Sequence, residues 1–237
     1  MAFQLEEALE QLLQLQVNEL EGDYREREQK LDARLRLPFA IRLDGVGFSK
    51  VLSGFQEPRD RRVHEALIAG TSQVVNRLSA SCAYTVSDEV NILFLGPSLP
   101  YAGRVQKVVS ISASILSVNA SEVIGRRLFF DARVVPLIDI DDAKRYILYR
   151  ARIAFNNFVG RSLKLLNVKP RENTNLRQQV RLLEENGVRV IDHPLWEWGG
   201  TSLYWVAKRG IRSLDWNDGP WVLLEAIEAY RAPELYK

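Results

Sequence analysis

Cysteine is almost missing from this 237-residue chain: Cys82 stands alone. A single thiol excludes an intramolecular disulfide and argues against a cysteine-built zinc site. No apolar run approaches the roughly 20 residues of a membrane span, so no membrane partner is expected. The N-terminus, MAFQLEEALEQ, is acidic where a secretory leader is basic, which leaves a cytoplasmic protein as the expectation. Lysine and arginine are absent from Met1 to Tyr24, while Glu6, Glu7, Glu10, Glu19, Glu21 and Asp23 all lie there. The formal net charge of +2 therefore hides a more basic remainder. Its clusters are Arg59/Arg61/Arg62, Arg126/Arg127, Arg150/Arg152 and Lys208/Arg209/Arg212. Each cluster either meets phosphates or forms a solvated helix face.

What is present is ordinary globular material, 46% hydrophobic and 26% charged, enough for a sizeable core and too apolar for a wholly disordered chain. Leucine recurs at helical spacing from Leu5 to about Leu20, an amphipathic helix for the protein body or another subunit, and the charged run after it also suits a helix. Leu37 to Leu43 reads as a strand ending in Asp44-Gly45. Val63, Leu67, Ile68, Val74, Val75 and Leu78 give Asp60 to Leu78 helical spacing. Cys82 to Val86 and Val90 to Leu95 read as two strands around the tight turn Ser87-Asp88-Glu89. Arg104 to Val118 is helical in spacing and Leu128 to Leu137 strand-like. The order β-α-β-β-α-β predicts a ferredoxin-like α+β arrangement, an antiparallel sheet with both helices on one face. Long helices are expected from Asp142 to Leu166 and from Asn173 to Asn186, then a strand-like TSLYWVAKR and a helix near Val222 to Tyr230. The organisation expected is a helical extension (1–36), a catalytic core (37–140), and a helical and small-β part integrated with it (141–237).

An Asp-Gly at a strand end is by itself ordinary turn chemistry. In the ferredoxin-like topology, however, the first strand lies beside one strand of the hairpin. Asp44 and the hairpin-tip Asp88 can then stand side by side. Two carboxylates that close repel unless a cation lies between them. Oxygen ligands suit magnesium, which also binds substrate phosphates. A pair of such ions can activate an attacking hydroxyl and stabilise a leaving pyrophosphate. Two unrelated turn aspartates are the alternative.

The run Ile41-Arg42-Leu43-Asp44-Gly45-Val46-Gly47-Phe48, followed by Phe55-Gln56-Glu57-Pro58-Arg59-Asp60, resembles the tRNA-histidine guanylyltransferase family. Ser87-Asp88-Glu89 matches its second motif. Weaker matches follow in order at Arg104 and Lys107, Phe130 to Val134, Tyr149-Arg150 with Asn157, and Gly200-Thr201. The resemblance implies a polymerase-like palm that adds nucleotides to the 5′ end of tRNA, with two magnesium ions held by Asp44, Asp88 and the Gly45 carbonyl. It implies ATP for activating a 5′-monophosphate, and GTP or another nucleoside triphosphate whose 3′-hydroxyl attacks the activated end. It also implies a homo-oligomer, a dimer of dimers. Gly47, Phe48, Ser87, Glu89, Arg104, Lys107 and Asn157 become nucleotide-binding candidates, and Arg133, Arg150 and Arg152 RNA-binding candidates.

Glu57 departs from the family pattern, which has lysine there, a residue tied to ATP-dependent activation. A carboxylate cannot stabilise phosphate charge, and Lys50 is a candidate replacement. Phe155-Asn156-Asn157 lacks the histidine of eukaryotic members. That loss resembles the guanylyltransferase-like branch of template-dependent 3′-to-5′ polymerases that repair tRNA 5′ ends, with G addition to tRNA-His as the other reaction the resemblance allows.

Each remaining candidate has a plainer reading. Ser87 either bonds a phosphate or closes the hairpin, and Glu89 either faces nucleotide or forms a structural salt bridge. Arg104 and Lys107 share one helix face, toward a triphosphate or toward solvent. Arg133 and Arg150 could be paired structurally, and Asn157 could cap a neighbour. His64 is expected to be exposed and His193 to be a loop residue without a partner. Trp196, Trp198 and Trp205 are expected in packing, with stacking on RNA bases as the alternative. Two competing functions share the same residues: a palm-type nucleotide cyclase, and a non-catalytic RNA-binding relative.

Overall fold

A computed structural model describes residues 5–208 and 211–231. Arg209, in the last basic cluster, lies outside the described residues. A six-stranded antiparallel sheet organises the chain, in the order β4-β1-β3-β2-β5-β6. Its strands are β1 (Phe39–Gly45), β2 (Cys82–Val86), β3 (Glu89–Phe94), β4 (Phe130–Pro136), β5 (Thr201–Lys208) and β6 (Ile211–Asp218). The first four have the expected ferredoxin-like order, and β5 and β6 widen the sheet beyond β2.

Two layers of helices cover the sheet. On one face α4 (Arg61–Leu78) and α5 (Val105–Ile124) bury Val63, Leu67, Val74, Val108 and Leu116 against Phe39, Ile41 and Leu43. These are the two helices expected on one face. On the other face α6 (Ile140–Leu165) and α9 (Trp221–Glu228) bury Ala143, Ile147, Leu223 and Ile227 against Ala40, Tyr84 and Leu93. Strands covered on both sides lose the apolar-polar alternation of a half-exposed sheet. Every residue of β2 and β3 is accordingly buried. A smaller cluster joins the end of α6 to α7 (Leu176–Glu185), where Phe158 and Leu163 meet Leu183.

Side-chain caps set where the core helices start. Asp60 accepts from Arg62 N at 2.9 Å and from Gln56 N at 2.9 Å, opening α4 directly after the Phe55–Asp60 motif. Asp139 caps α6 through Asp142 N at 2.7 Å, and Asn175 forms a capping box with Gln178 on α7.

Two expectations need correction. The leucine-rich N-terminus is broken: α1 (Leu5–Leu13) stops and α2 (Val17–Leu31) begins anew. No residue of α2 is buried, so no packed neighbour holds the two segments in one continuous helix. In addition, α5 is long and apolar enough, by length and composition alone, to cross a membrane. Serines and Asn119 interrupt its apolar run, which is why no unbroken stretch stands out in the sequence. In the fold, Val108, Ser112, Leu116 and Ala120 recur every four residues along its buried stripe.

Candidate active site

Asp44 is the penultimate residue of β1, and the register gives it two acidic neighbours. It stands opposite Glu89 on β3 and opposite Asp131 on β4. One residue on, Gly45 N donates to the Asp88 carbonyl at 3.1 Å, which stitches the strand end to the tip of the β2–β3 hairpin. Ser87 holds that tip with a left-handed φ of 61° and donates from Oγ to Asp88 Oδ1 at 2.9 Å. The strand end and the hairpin tip thus bring Asp44 and Asp88 side by side, as the topology predicts. Burial raises the Asp44 pKa, and the carboxylates of Asp88, Glu89 and Asp131 raise it further. A raised carboxylate among carboxylates is relieved by a cation.

Glycine at position 45 has a steric reason: a Cβ there would collide with the ring of Phe48. That ring packs edge-on against Phe130, 5.2 Å between centroids, beneath the start of β4. Gly47 caps the short helix α3 (Phe48–Val51) in the left-handed region, and the main chain between Asp44 and Phe48 turns tightly around the strand end.

Glu89 faces the same side as Asp44 but is already engaged. Arg150 on α6 forks onto its carboxylate, Nε to Oε1 at 2.8 Å. Asn91 Nδ2 also donates to Oε1 at 2.9 Å, and the Tyr146 hydroxyl donates to Asn91 Oδ1 at 2.6 Å. This chain of bonds anchors α6 to β3 under the aspartate pair.

Beside Asp88 opens a cavity of about 300 Å³. Phe48, Phe55 and Trp196 give it aromatic walls, and Glu57, Arg59, Asn157 and Arg161 supply polar groups. That volume falls at the lower end of small-molecule sites, roughly 300–1,000 Å³. Asn157 and Arg161 lie one turn apart on α6, so that spacing alone puts them on one helix face. Among the described residues no group of three His, Cys, Asp or Glu side chains forms a metal cluster. Two aspartates and the Gly45 carbonyl leave positions that water and phosphate oxygens would fill, and this all-oxygen donor set fits magnesium.

Several candidates lie elsewhere. Arg104 is bound to the buried Asp32 at 2.7 Å, and Lys107 sits over the Tyr101 ring at 5.5 Å. Within this chain they do not reach the aspartate pair, because α5 runs back along the sheet toward β4. Ser117 Oγ accepts from Phe130 N near Gly45, and Arg104 lies about 20 Å of helix upstream. Lys50 is exposed on α3 and does not line the cavity. Arg133 pairs with Asp131 at 2.9 Å, whereas Arg152 is exposed on α6.

His64 is buried rather than exposed, because α4 turns this residue toward β5. Its ring stacks on Trp196 at 4.5 Å and its Nε2 lies 3.2 Å from Thr201 Oγ1. Thr201 Oγ1 donates to Asp218 Oδ1 at 2.9 Å, so it accepts from a protonated Nε2. Burial lowers the His64 pKa to about 4. His193 does have a partner: α8 (Leu195–Gly199) places Glu197 Oε2 at 2.9 Å from its Nδ1. Trp205 packs against the core and donates to the Ala80 carbonyl at 2.9 Å, while Trp198 meets Phe155 edge-on.

Asp131, Arg161 and Trp196 reach the site without having been picked out for it. Asp131 was legible as a neighbour of Asp44 only once the β1–β4 register was known. Arg161 could have been flagged by its one-turn spacing from Asn157.

The fold and the motifs have counterparts among known proteins. A bacterial tRNA-His guanylyltransferase (Thg1)-like protein solved with ATP superposes with a TM-score of 0.74 at 22% identity, covering 89% of this chain and 97% of that one. Its GTP complex gives 0.73 at 21%, with the same coverage. The tRNA-His guanylyltransferase of Saccharomyces cerevisiae gives 0.62 at 17%, covering 79% of this chain and 93% of that one. An uncharacterised protein of Acanthamoeba polyphaga mimivirus, R259, is 26% identical over 230 residues, covering 76% of this chain and 75% of its own length. The model of the tRNA-His guanylyltransferase (Thg1) family matches residues 21–139, half of the sequence and all of the segment carrying Asp44 and Asp88, and the chain belongs to that family of tRNA nucleotidyltransferases.

Proposed function

We propose that this chain adds nucleotides in the 3′-to-5′ direction to the 5′ end of tRNA, in a template-dependent reaction that repairs truncated ends. The observation that carries the proposal is the bond from Gly45 N to the Asp88 carbonyl, which sets Asp44 at the strand end beside Asp88 in the cavity wall. Asp44, Asp88 and the Gly45 carbonyl would hold two magnesium ions. Bound there, such ions would supply positive charge for activating a 3′-hydroxyl and for stabilising the leaving group, AMP from an ATP-activated end or pyrophosphate from a triphosphate end.

The chain's own residues do the rest. Ser87 fixes one oxygen of Asp88 by its hydrogen bond, leaving the other free. Glu89, neutralised by Arg150, buttresses the hairpin without competing for the cation. Phe48, Phe55 and Trp196 offer apolar walls for a nucleotide base, and Asn157 a polar contact. ATP for activation and GTP or another nucleoside triphosphate for addition are the nucleotides expected. The ATP and GTP complexes of the bacterial relative support that choice. Exposed Arg152 is the clearest of the three arginines for an RNA phosphate, since Arg133 and Arg150 are held by Asp131 and Glu89. Phe155, packed on Trp198 where eukaryotic members carry histidine, favours the repair branch. A dimer of dimers and a cytoplasmic location complete the proposal.

The test is nucleotide addition, with magnesium, to a tRNA lacking its first 5′ nucleotide, presented with either a monophosphate or a triphosphate end. Templated addition to at least one end, abolished by Asp44→Ala, supports the reading. Nucleotide turnover that ignores tRNA points to a cyclase and overturns it.

A further inference from the structure

The cavity beside Asp88 is lined by two guanidinium groups, Arg59 and Arg161, and by three carboxylates. Asp60 is engaged by Arg62 and the start of α4, and Asp88 belongs to the aspartate pair. That leaves Glu57 at the rim, and Arg59, Arg161 and Glu57 are satisfied very unequally. At the rim, Arg161 is forked onto Glu57, with Nε to Oε2 at 2.5 Å. The pair is open to water, with side chains 40% and 43% exposed, so it is held loosely. Deeper in the wall, Arg59 has only long contacts, Nε to the Glu197 carbonyl at 3.4 Å and Nη1 to the Pro58 carbonyl at 3.5 Å. Its Nη2 is buried with no hydrogen-bond partner. An orphaned donor on a charged group is costly, and one that lines a cavity is placed to bond whatever ligand enters it.

The surroundings say what that ligand is. Burial lowers the Arg59 pKa, while Asp88, Glu197 and Glu57 act on it as favourable charges and Arg161 as an unfavourable one. Carboxylates surround Arg59 without any of them bonding its Nη2, and Arg161 is held only by the exposed Glu57, so an anion bearing several oxygens could bond both guanidinium groups at once. Planar guanidinium groups with paired donors fit phosphate oxygens in particular. Phosphates lying there would also be next to Asp88, where the ions of the proposed reaction belong.

We propose that Arg59 and Arg161 form a clamp for the phosphates of a nucleoside triphosphate in this cavity, with Glu57 competing for Arg161 until the nucleotide arrives. The inference rests on the nucleotidyl-transfer reading and names the groups that hold its nucleotide. Position 57 then need not be cationic: the charge comes from α6, across the cavity. Glu57 acts as a rival anion that the triphosphate displaces, so it sets a threshold for binding. A monophosphate, with less charge and one phosphate to offer, displaces it poorly.

The experiment is calorimetric titration of the full chain with ATP and with AMP, for the native protein, Arg161→Ala, Arg59→Lys and Glu57→Gln. Arg161→Ala should weaken ATP about tenfold and narrow the ATP-over-AMP preference. Arg59→Lys keeps the charge but loses the forked donors, and should weaken ATP by several-fold. Glu57→Gln should tighten ATP by about threefold, the scale of an exposed ion pair. Unchanged ATP affinity in Arg161→Ala overturns the clamp. Weakening in Glu57→Gln overturns the competition, since Glu57 would then be organising Arg161. Native protein that extends triphosphate-ended tRNA while failing to bind ATP sinks this inference alone. ATP binding through Arg161 with no extension of any tRNA sinks the reaction and leaves the clamp.

Discussion

Asp44 and Glu89 face each other across two paired strands, yet they do opposite work. Glu89 is neutralised by Arg150, whereas Asp44 is left with a raised pKa among acidic neighbours. The difference arises because α6 lies over β3, and its Arg150 reaches Glu89. One carboxylate has become part of the framework and the other is left among acidic neighbours.

Removing Arg150 should therefore be a stability change first. Arg150→Ala leaves the largely buried Glu89 carboxylate without its charge partner. A loss of roughly 3 kcal/mol in urea unfolding is expected, the scale for breaking a buried pair. A loss under about 0.5 kcal/mol would show that Arg150 is not held by Glu89 and is free for RNA.

Asp44→Asn should separate stability from activity. A carboxylate whose folded pKa is raised above its unfolded value favours the folded state less as pH climbs through that interval. Ionised Asp44 is then a burden at neutral pH in the metal-free protein. Asp44→Asn should match or exceed the native melting temperature in EDTA, and show no stabilisation by added magnesium. Equal magnesium shifts in both proteins would remove Asp44 from the ligand set.

His64 gives the protein an acid-side liability. It is neutral in the fold, with a pKa of about 4 against an ordinary 6.5. Between those values the unfolded chain binds more protons, so stability rises with pH there and falls as pH drops below 6.5. The full cost, reached below pH 4, is about 3 kcal/mol. In His64→Gln, which keeps a donor for Thr201, unfolding followed from pH 7 to pH 4.5 should lose most of this slope. An unchanged slope would assign the acid sensitivity to the carboxylates.

Gly200 should tolerate no side chain. Its φ is +68°, and a Cβ would come within 2.7 Å of the Thr85 carbonyl and the Tyr84 hydroxyl. Gly200→Ala should cost roughly 2–4 kcal/mol in chemical denaturation. It should also disturb the seam where Tyr84 donates to the Gly199 carbonyl and β5 joins β2. A cost near zero would mean that the seam can shift.

Local chemistry determined much of this protein from the sequence alone. The apolar run ending in Asp44-Gly45, the two runs around Ser87-Asp88 and the spacing of α4 and α5 define the palm, because strand alternation, turn residues and helical period are short-range properties. Membership in the family was legible for the same reason, since its motifs are contiguous runs at strand ends. The tertiary structure alone decided what distant segments do to each other. It put Asp131 beside Asp44 by register, Arg161 on Glu57 across the cavity, and His64 under Trp196 in a buried pocket. It also took Arg104 away to Asp32 at the far end of α5. Whether a charge is free or paired depends on which element is laid over it, and no local pattern encodes that.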